Sequence, residues 1–231
     1  MDKAIQTYEI NKKFDDDADV KSKQSNYYSN TRRGFTTTLV LPSSIVDNAQ
    51  SLELKTYLVS QISKAAATFC FNEIVIVSCD KHSKMQQMKQ DVTTTEFFVQ
   101  NLEYLETPQY LRKALFPKSP ALRFAGLMNP IDTPHHMRAT EWTPYREGVI
   151  INKPSKDGKG SWANIGIYKD CQVDLSLQEG TRITVKMDQT GFSEKNKYYS
   201  GKVVSQEEPF LEKSVYWGYS VRVAISLEAV F

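Results

Sequence analysis

The chain is short of cysteine. Cys70, Cys79 and Cys171 are its only three in 231 residues, and they lie far apart. That excludes a disulfide framework and points to a reducing compartment; two of the three sit in apolar runs, which predicts buried thiols. A metal centre is equally unsupported, because apart from Cys79 and His82 the cysteines and histidines form no close Cys-Cys or Cys-His pair. Long apolar runs are missing too: none approaches the roughly 20 residues that cross a bilayer. The opening stretch, MDKAIQTYEINKKFDDDADVK, lacks the apolar core of a secretory signal. Net charge is only +2, with 24% charged and 40% hydrophobic residues, the balance of a globular protein of one or two domains. Glycine-rich strand-to-helix turns are absent as well. The short turns PSKDGKG and YWGYS supply no cradle for a phosphate or cofactor.

Because the whole chain is nearly neutral, a local excess of positive charge stands out. Between Pro108 and Arg138 the sequence PQYLRKALFPKSPALRFAGLMNPIDTPHHMR sets Arg112, Lys113, Lys118, Arg123 and Arg138 against one acid, Asp132. Tyr110, Phe116, Phe124, His135 and His136 are interleaved with these cations. Cations neutralise phosphates and planar rings stack on unpaired bases, so the pattern suits single-stranded nucleic acid. The alternative is ordinary: Tyr110, Leu111, Leu115, Phe116 and Leu127 form core and the charges a solvated face. Composition alone does not decide between them.

Residues 1–34 mix Asp15, Asp16, Asp17 and Asp19 with Lys and Arg and contain few branched apolar residues. Such a segment buries too little surface to offset its ordering entropy and reads as a charged tail. The β-branched run Phe35 to Pro42 predicts a buried strand, Ser51 a helix N-cap, and Leu52 to Phe69 a helix. The apolar spacing of that helix runs through Leu54, Leu58, Ile62, Ala65, Ala66 and Phe69. Glu73 to Cys79 predicts a second buried strand, hence a βαβ unit with parallel strands. Asp80 to Thr94 reads as a polar excursion. Glu96 to Leu105 reads as a helix whose stripe of Phe97, Phe98, Leu102 and Leu105 is core, and Pro108 opens a short helix through Leu115. Asp132-Thr133-Pro134 reads as a turn.

From Tyr145 to about Ser205 the runs shorten. REGVIINKP, SWANIGIYKDCQVDL, TRITVKMD and KYYSGKVVS alternate and are separated by turn-rich stretches, which predicts a small all-β barrel or sandwich. This part is mildly basic. Trp162, Tyr168, Tyr198 and Tyr199 read equally well as a stacking face or as cross-strand packing.

Several long, idiosyncratic blocks point to a family: LPSSIVDNAQSLELKTYLVSQISKAAATFCFNEIVIV, YLETPQYLRKALFP, LRFAGLMNPIDTPHHMR, REGVI and YWGYSVRVA. Through them the chain resembles the SPOUT-class, α/β-knot RNA methyltransferases that carry an inserted OB-like domain. The resemblance implies an α/β fold: a partial, Rossmann-like SPOUT domain interrupted by a small β-barrel. Residues 35–144 would form its first part, 145–212 the inserted OB-like barrel, and 213–231 the return strand with the start of a helix. Trp217 and Tyr219 would pack barrel against sheet, and SVRVA would be a buried strand leading into a helix at Ser226.

The resemblance further implies S-adenosylmethionine-dependent methylation of RNA, ribosomal RNA in particular, by a homodimer in the nucleus or nucleolus and without a membrane. The candidates for RNA engagement are Arg112, Lys113, Arg123, His135, His136, Arg138, Lys156 and Lys159, and His136 is a candidate base. The family's cofactor pocket is built by knotted loops that would follow Phe231. The expectation is therefore a chain truncated before that pocket, with no cofactor-binding residue of its own and inactive alone. The apolar close at Ala229-Val230-Phe231 and the sheet edge left open agree with that expectation. An RNA-binding module or a scaffold without catalysis is the alternative.

Overall fold

The computed structural model describes residues 35–79, 92–154, 160–192 and 197–231. The charged tail, the excursion over 80–91, and Lys156 and Lys159 lie outside the described residues.

The chain opens with β1 (Thr38–Pro42), a 3-10 turn over Ser43–Asn48, α1 (Leu52–Thr68) and β2 (Glu73–Val77). The Ser51 hydroxyl accepts the Leu54 N–H and caps α1 as its position implies. β1 and β2 pair in parallel, Leu39 beside Ile74 and Leu41 beside Ile76. Next come α2 (Thr94–Glu106) and α3 (Gln109–Leu115). Thr93 and Glu96 close a reciprocal capping box at the start of α2. Phe97, Phe98, Leu102 and Leu105 of α2 are all buried, as their spacing predicts.

Five strands follow: β3 (Tyr145–Ile151), β4 (Ser161–Asn164), β5 (Cys171–Val173), β6 (Arg182–Met187) and β7 (Tyr199–Val204). They close a barrel in the order β3-β4-β5-β7-β6, with β5 and β7 as the parallel pair. Its interior is filled by Ile150, Ala163, Ile165, Val173, Val185 and Tyr199, among others. After α4 (Glu208–Lys213) the chain returns as β8 (Ser220–Ala224), parallel to β2, and completes a separate three-stranded sheet in the order β1-β2-β8. The protein is thus a mixed α/β molecule in which a closed barrel interrupts a parallel sheet.

Four expectations are corrected. Leu54 and Phe69 are exposed, because α1 turns Leu52, Thr56, Val59, Ser63, Ala66 and Ala67 inward. Small and hydroxylated side chains let this helix approach closely, and Thr56 returns its hydroxyl to the Leu52 carbonyl. β1 and β8 are edge strands with largely exposed patterns; only β2 is buried through its middle. The segment after β8 forms a 3-10 turn over Glu228–Val230, where Arg222 donates to the carbonyls of Ala229 and Val230. Of the three thiols, Cys171 is buried but Cys79 is exposed.

Candidate functional site

The last turn of any helix leaves carbonyls without intrahelical partners. In α2 these fall where the sheet unit meets the barrel, and three residues of the most basic segment, Arg112, His135 and His136, are turned onto them. Arg112 donates from Nε to the Thr107 carbonyl and from a terminal nitrogen to that of Leu105, at 3.0 and 3.2 Å. His135 Nε2 and His136 Nε2 both lie on the Glu106 carbonyl, at 2.8 and 2.6 Å. A carbonyl only accepts, so both imidazoles carry a proton on Nε2. Cationic and donor groups at this end also oppose the negative pole of the helix. The turn at Thr133 to His136, closed by the His136 N–H on the Thr133 carbonyl, brings the two rings to the helix end.

The Glu106 side chain extends the cluster into the barrel. It takes Arg182 of β6 in a forked pair at 2.6 and 3.1 Å and lies 3.0 Å from His135 Nε2. Arg182 also reaches Glu147 of β3 at 2.7 Å. Glu147 is held in turn by Thr184 at 2.6 Å and by the Trp217 indole N–H at 2.7 Å. Beside it, the buried Arg146 donates to the carbonyls of Arg138, Glu141 and Ile165. Burial alone would raise the Glu106 carboxyl, but Arg182 and His135 outweigh it and hold the group at about 2. Burial, reinforced by His135, pushes His136 down to about 3, so it is neutral near pH 7.

Two glycines make room for this joint. Gly218 has a φ of +88°, and a β-carbon there would stand 2.5 Å from a Glu106 carboxylate oxygen. Gly166 has a φ of +73° and lies flat on the Tyr110 ring of α3, whose hydroxyl donates to the Glu147 carbonyl.

The sequence candidates therefore divide. Arg112, His135 and His136 come together, but at the end of α2; His135 is 0% exposed and His136 is neutral and engaged, so neither is placed to meet a large ligand. Lys113, Arg123 and Arg138 are exposed, and none of the three forms an ion pair with a described residue. Sequence reasoning missed Glu106, Arg146, Glu147 and Arg182. The available signal was an Arg-Glu pair opening the apolar GVII run and an arginine opening ITV, since charges inside strand patterns demand partners. Trp217 does join barrel to sheet, whereas Tyr219 lies within the sheet unit, donating to the Leu102 carbonyl and paired with Ser63.

A cleft of about 290 Å³ opens beside the joint, lined by Glu103, Phe116, Arg182, Gln206 and Tyr219 among others. Burial, with Glu106 nearby, raises the Glu103 carboxyl. Cofactors of parallel α/β sheets usually lie beyond the carboxyl ends of the strands. Here those ends run into Ser43, Ser78 and Ile225, and no described glycine stands at any of them. Among the described residues no cluster of His, Cys, Asp and Glu has metal-site geometry, and no helix is long and apolar enough to cross a membrane.

Residues 36–231 match the family described as "Putative RNA methyltransferase", and the chain belongs to that family. It is 44% identical over 213 residues to the 28S rRNA (uridine-N(3))-methyltransferase of Homo sapiens, a match covering 86% of this chain and 54% of the relative. The protein of the same name from Mus musculus is 46% identical, covering 88% and 54%. That from Drosophila melanogaster is 40% identical, covering 85% and 42%. The chain spans about half the length of the curated relatives it matches.

Proposed function

We propose that the protein methylates ribosomal RNA at N3 of uridine, with S-adenosylmethionine as methyl donor. The observation that carries this reading is the similarity of 40% to 46% to three relatives named for that reaction, which extends through sheet unit and barrel alike. N3 of uridine lies on the Watson–Crick edge and is hidden in a base pair, so the target must be unpaired or flipped out. The exposed Lys113, Arg123 and Arg138, with Lys156 and Lys159, contact phosphates; Arg112, His135 and His136 hold the joint that positions them. The barrel serves as an OB-like RNA-binding insert in a SPOUT-type, knotted enzyme that works as a homodimer in the nucleus or nucleolus. No described residue is assigned to the methyl donor.

The test is mass spectrometry of nucleosides after incubating the protein with S-adenosylmethionine and transcripts of large-subunit rRNA. Formation of 3-methyluridine is expected. Its absence where the RNA is bound points to an RNA-binding module without catalysis, and modification of another base overturns the assignment.

A further inference from the structure

Trp162 stands on the outside of the barrel. Its chain neighbour Ala163 is fully buried in the interior, and along a strand successive side chains take opposite faces. In register with it are Ile151 on β3 and Gln172 on β5, and Gln172 pairs with Ser200 on β7, so one row crosses four strands. Although it is outside the core, the Trp162 residue is only 9% exposed. Two side chains cover it. Lys153 lies with Nζ 4.2 Å from the ring centroid and 2.7 Å from the Asp170 carboxylate. Tyr198 meets it edge-on, with centroids 5.2 Å apart at 81°. The Trp162 indole N–H has no partner among the described residues.

This is a poor arrangement for packing alone. Cross-strand packing would bury Tyr198, yet that residue is 45% exposed, whereas Tyr199 beside it is 4% exposed inside the barrel. The T-shaped contact with Trp162 leaves the Tyr198 ring nearly half exposed and available to a third ring. Lys153 lies over the Trp162 ring that Tyr198 meets, and the exposed Lys197 precedes Tyr198 in the chain. An exposed flat ring beside a second ring that carries a lysine is the chemistry that takes a base and the phosphate next to it.

Resting on the reading that the substrate is RNA, we propose that Tyr198 is a stacking platform for one unpaired base of single-stranded RNA on the barrel's outer face. Trp162 holds the platform's plane, and Lys153 exchanges Asp170 for a backbone phosphate. The surface selects single strands, since a base inside a duplex offers no free face.

The experiment measures fluorescence anisotropy of a labelled uridine-rich RNA of about eight nucleotides, a length within the range one such barrel binds, against the same sequence as a duplex. The protein is expected to prefer the single strand. Tyr198→Ala should weaken that binding by about tenfold or more with its melting temperature unchanged, while Tyr198→Phe keeps the affinity. Because Tyr198→Ala removes no charge, its salt dependence should match that of the parent, whereas Lys153→Met should lower the salt slope by about 0.7. Parent-like affinity in Tyr198→Ala overturns the platform and leaves the proposed function standing. Equal affinity for strand and duplex also overturns it. Loss of all RNA affinity in the parent protein overturns the RNA reading itself.

Discussion

The barrel and the sheet solve the same problem in opposite ways. Five strands closed on one another leave the barrel no edge, so every strand has two neighbours. The three-stranded sheet has two edges, β1 and β8, and apolar side chains such as Val40, Val223 and Ile225 lie exposed on or beside them. Its buried strand is β2, which reads as an uninterrupted EIVIV run, while β5 of the barrel alternates. One region is self-sufficient in hydrogen bonds, and the other draws its order from the helices and from the polar joint with the barrel. The joint is therefore the place to ask whether the two behave as one body.

The largest effect is expected there. Glu106→Ala leaves Arg182 and His135 without their carboxylate, and breaking a buried pair in this way costs about 3–5 kcal/mol. All three tryptophans, Trp142, Trp162 and Trp217, lie in or against the barrel, whereas α1 and α2 lie in the sheet unit. Tryptophan fluorescence and helical ellipticity should follow one urea transition in the parent and separate in Glu106→Ala. Coincident, unshifted transitions in the variant would show that the joint couples nothing.

A comparable loss confined to one side sharpens the contrast. Phe97→Ala empties a fully buried site in the core under the sheet and should cost about 3–5 kcal/mol, read as a fall in the urea midpoint. With the joint intact, the barrel's fluorescence transition should move with it.

Acid should loosen the joint in two windows. An unfolded imidazole titrates near 6.5 and His136 near 3, so the unfolded chain binds the extra proton as pH falls through that range, and stability falls with it. Glu106 holds its carboxylate down to about 2 against an ordinary 4.5, so its contribution is complete above 4.5 and lost between there and 2. That second window is worth about 3 kcal/mol. Urea midpoints from pH 7 to pH 3 should show both, and Glu106→Gln should flatten the lower window alone.

Smaller effects follow. Gly218→Ala puts a β-carbon into a left-handed backbone position against Glu106 and should cost about 1–3 kcal/mol. Thr93→Ala removes the cap of α2, far from the joint, for about 1 kcal/mol. A Gly218→Ala protein as stable as the parent would show that the return loop yields without cost.

What was legible in the sequence was local. The β-branched runs, the Ser51 cap, the α2 stripe and the short alternating strands each carry their structure within a few residues. The basic stretch was legible only in part for the same reason. Arg112 is a cation in composition, but its partners are the backbone carbonyls of Leu105 and Thr107, which leave no mark in a sequence. His135 and Glu106 are 29 residues apart and Arg182 and Glu106 are 76 apart, so no spacing rule joins them. The face of α1 was misjudged because Thr56, Ser60 and Ser63 look polar and are nonetheless buried. The residues that looked exposed and cationic, Lys113, Arg123 and Arg138, are exposed.

The order in which the chain crosses the sheet sets a timetable for folding. β1 and β2 are joined through one helix, but Glu73 of β2 must wait for Ser220 of β8, and the entire barrel lies between them. Pairings that close such long loops form late, after the local ones have been made. During synthesis β2 therefore emerges with one side unpaired and keeps it so until the barrel is complete. Pulsed hydrogen exchange during refolding should protect β3 and β6 before the β2–β8 ladder. The barrel is thus a checkpoint as well as an insert: a fault in it leaves an apolar strand open to other chains.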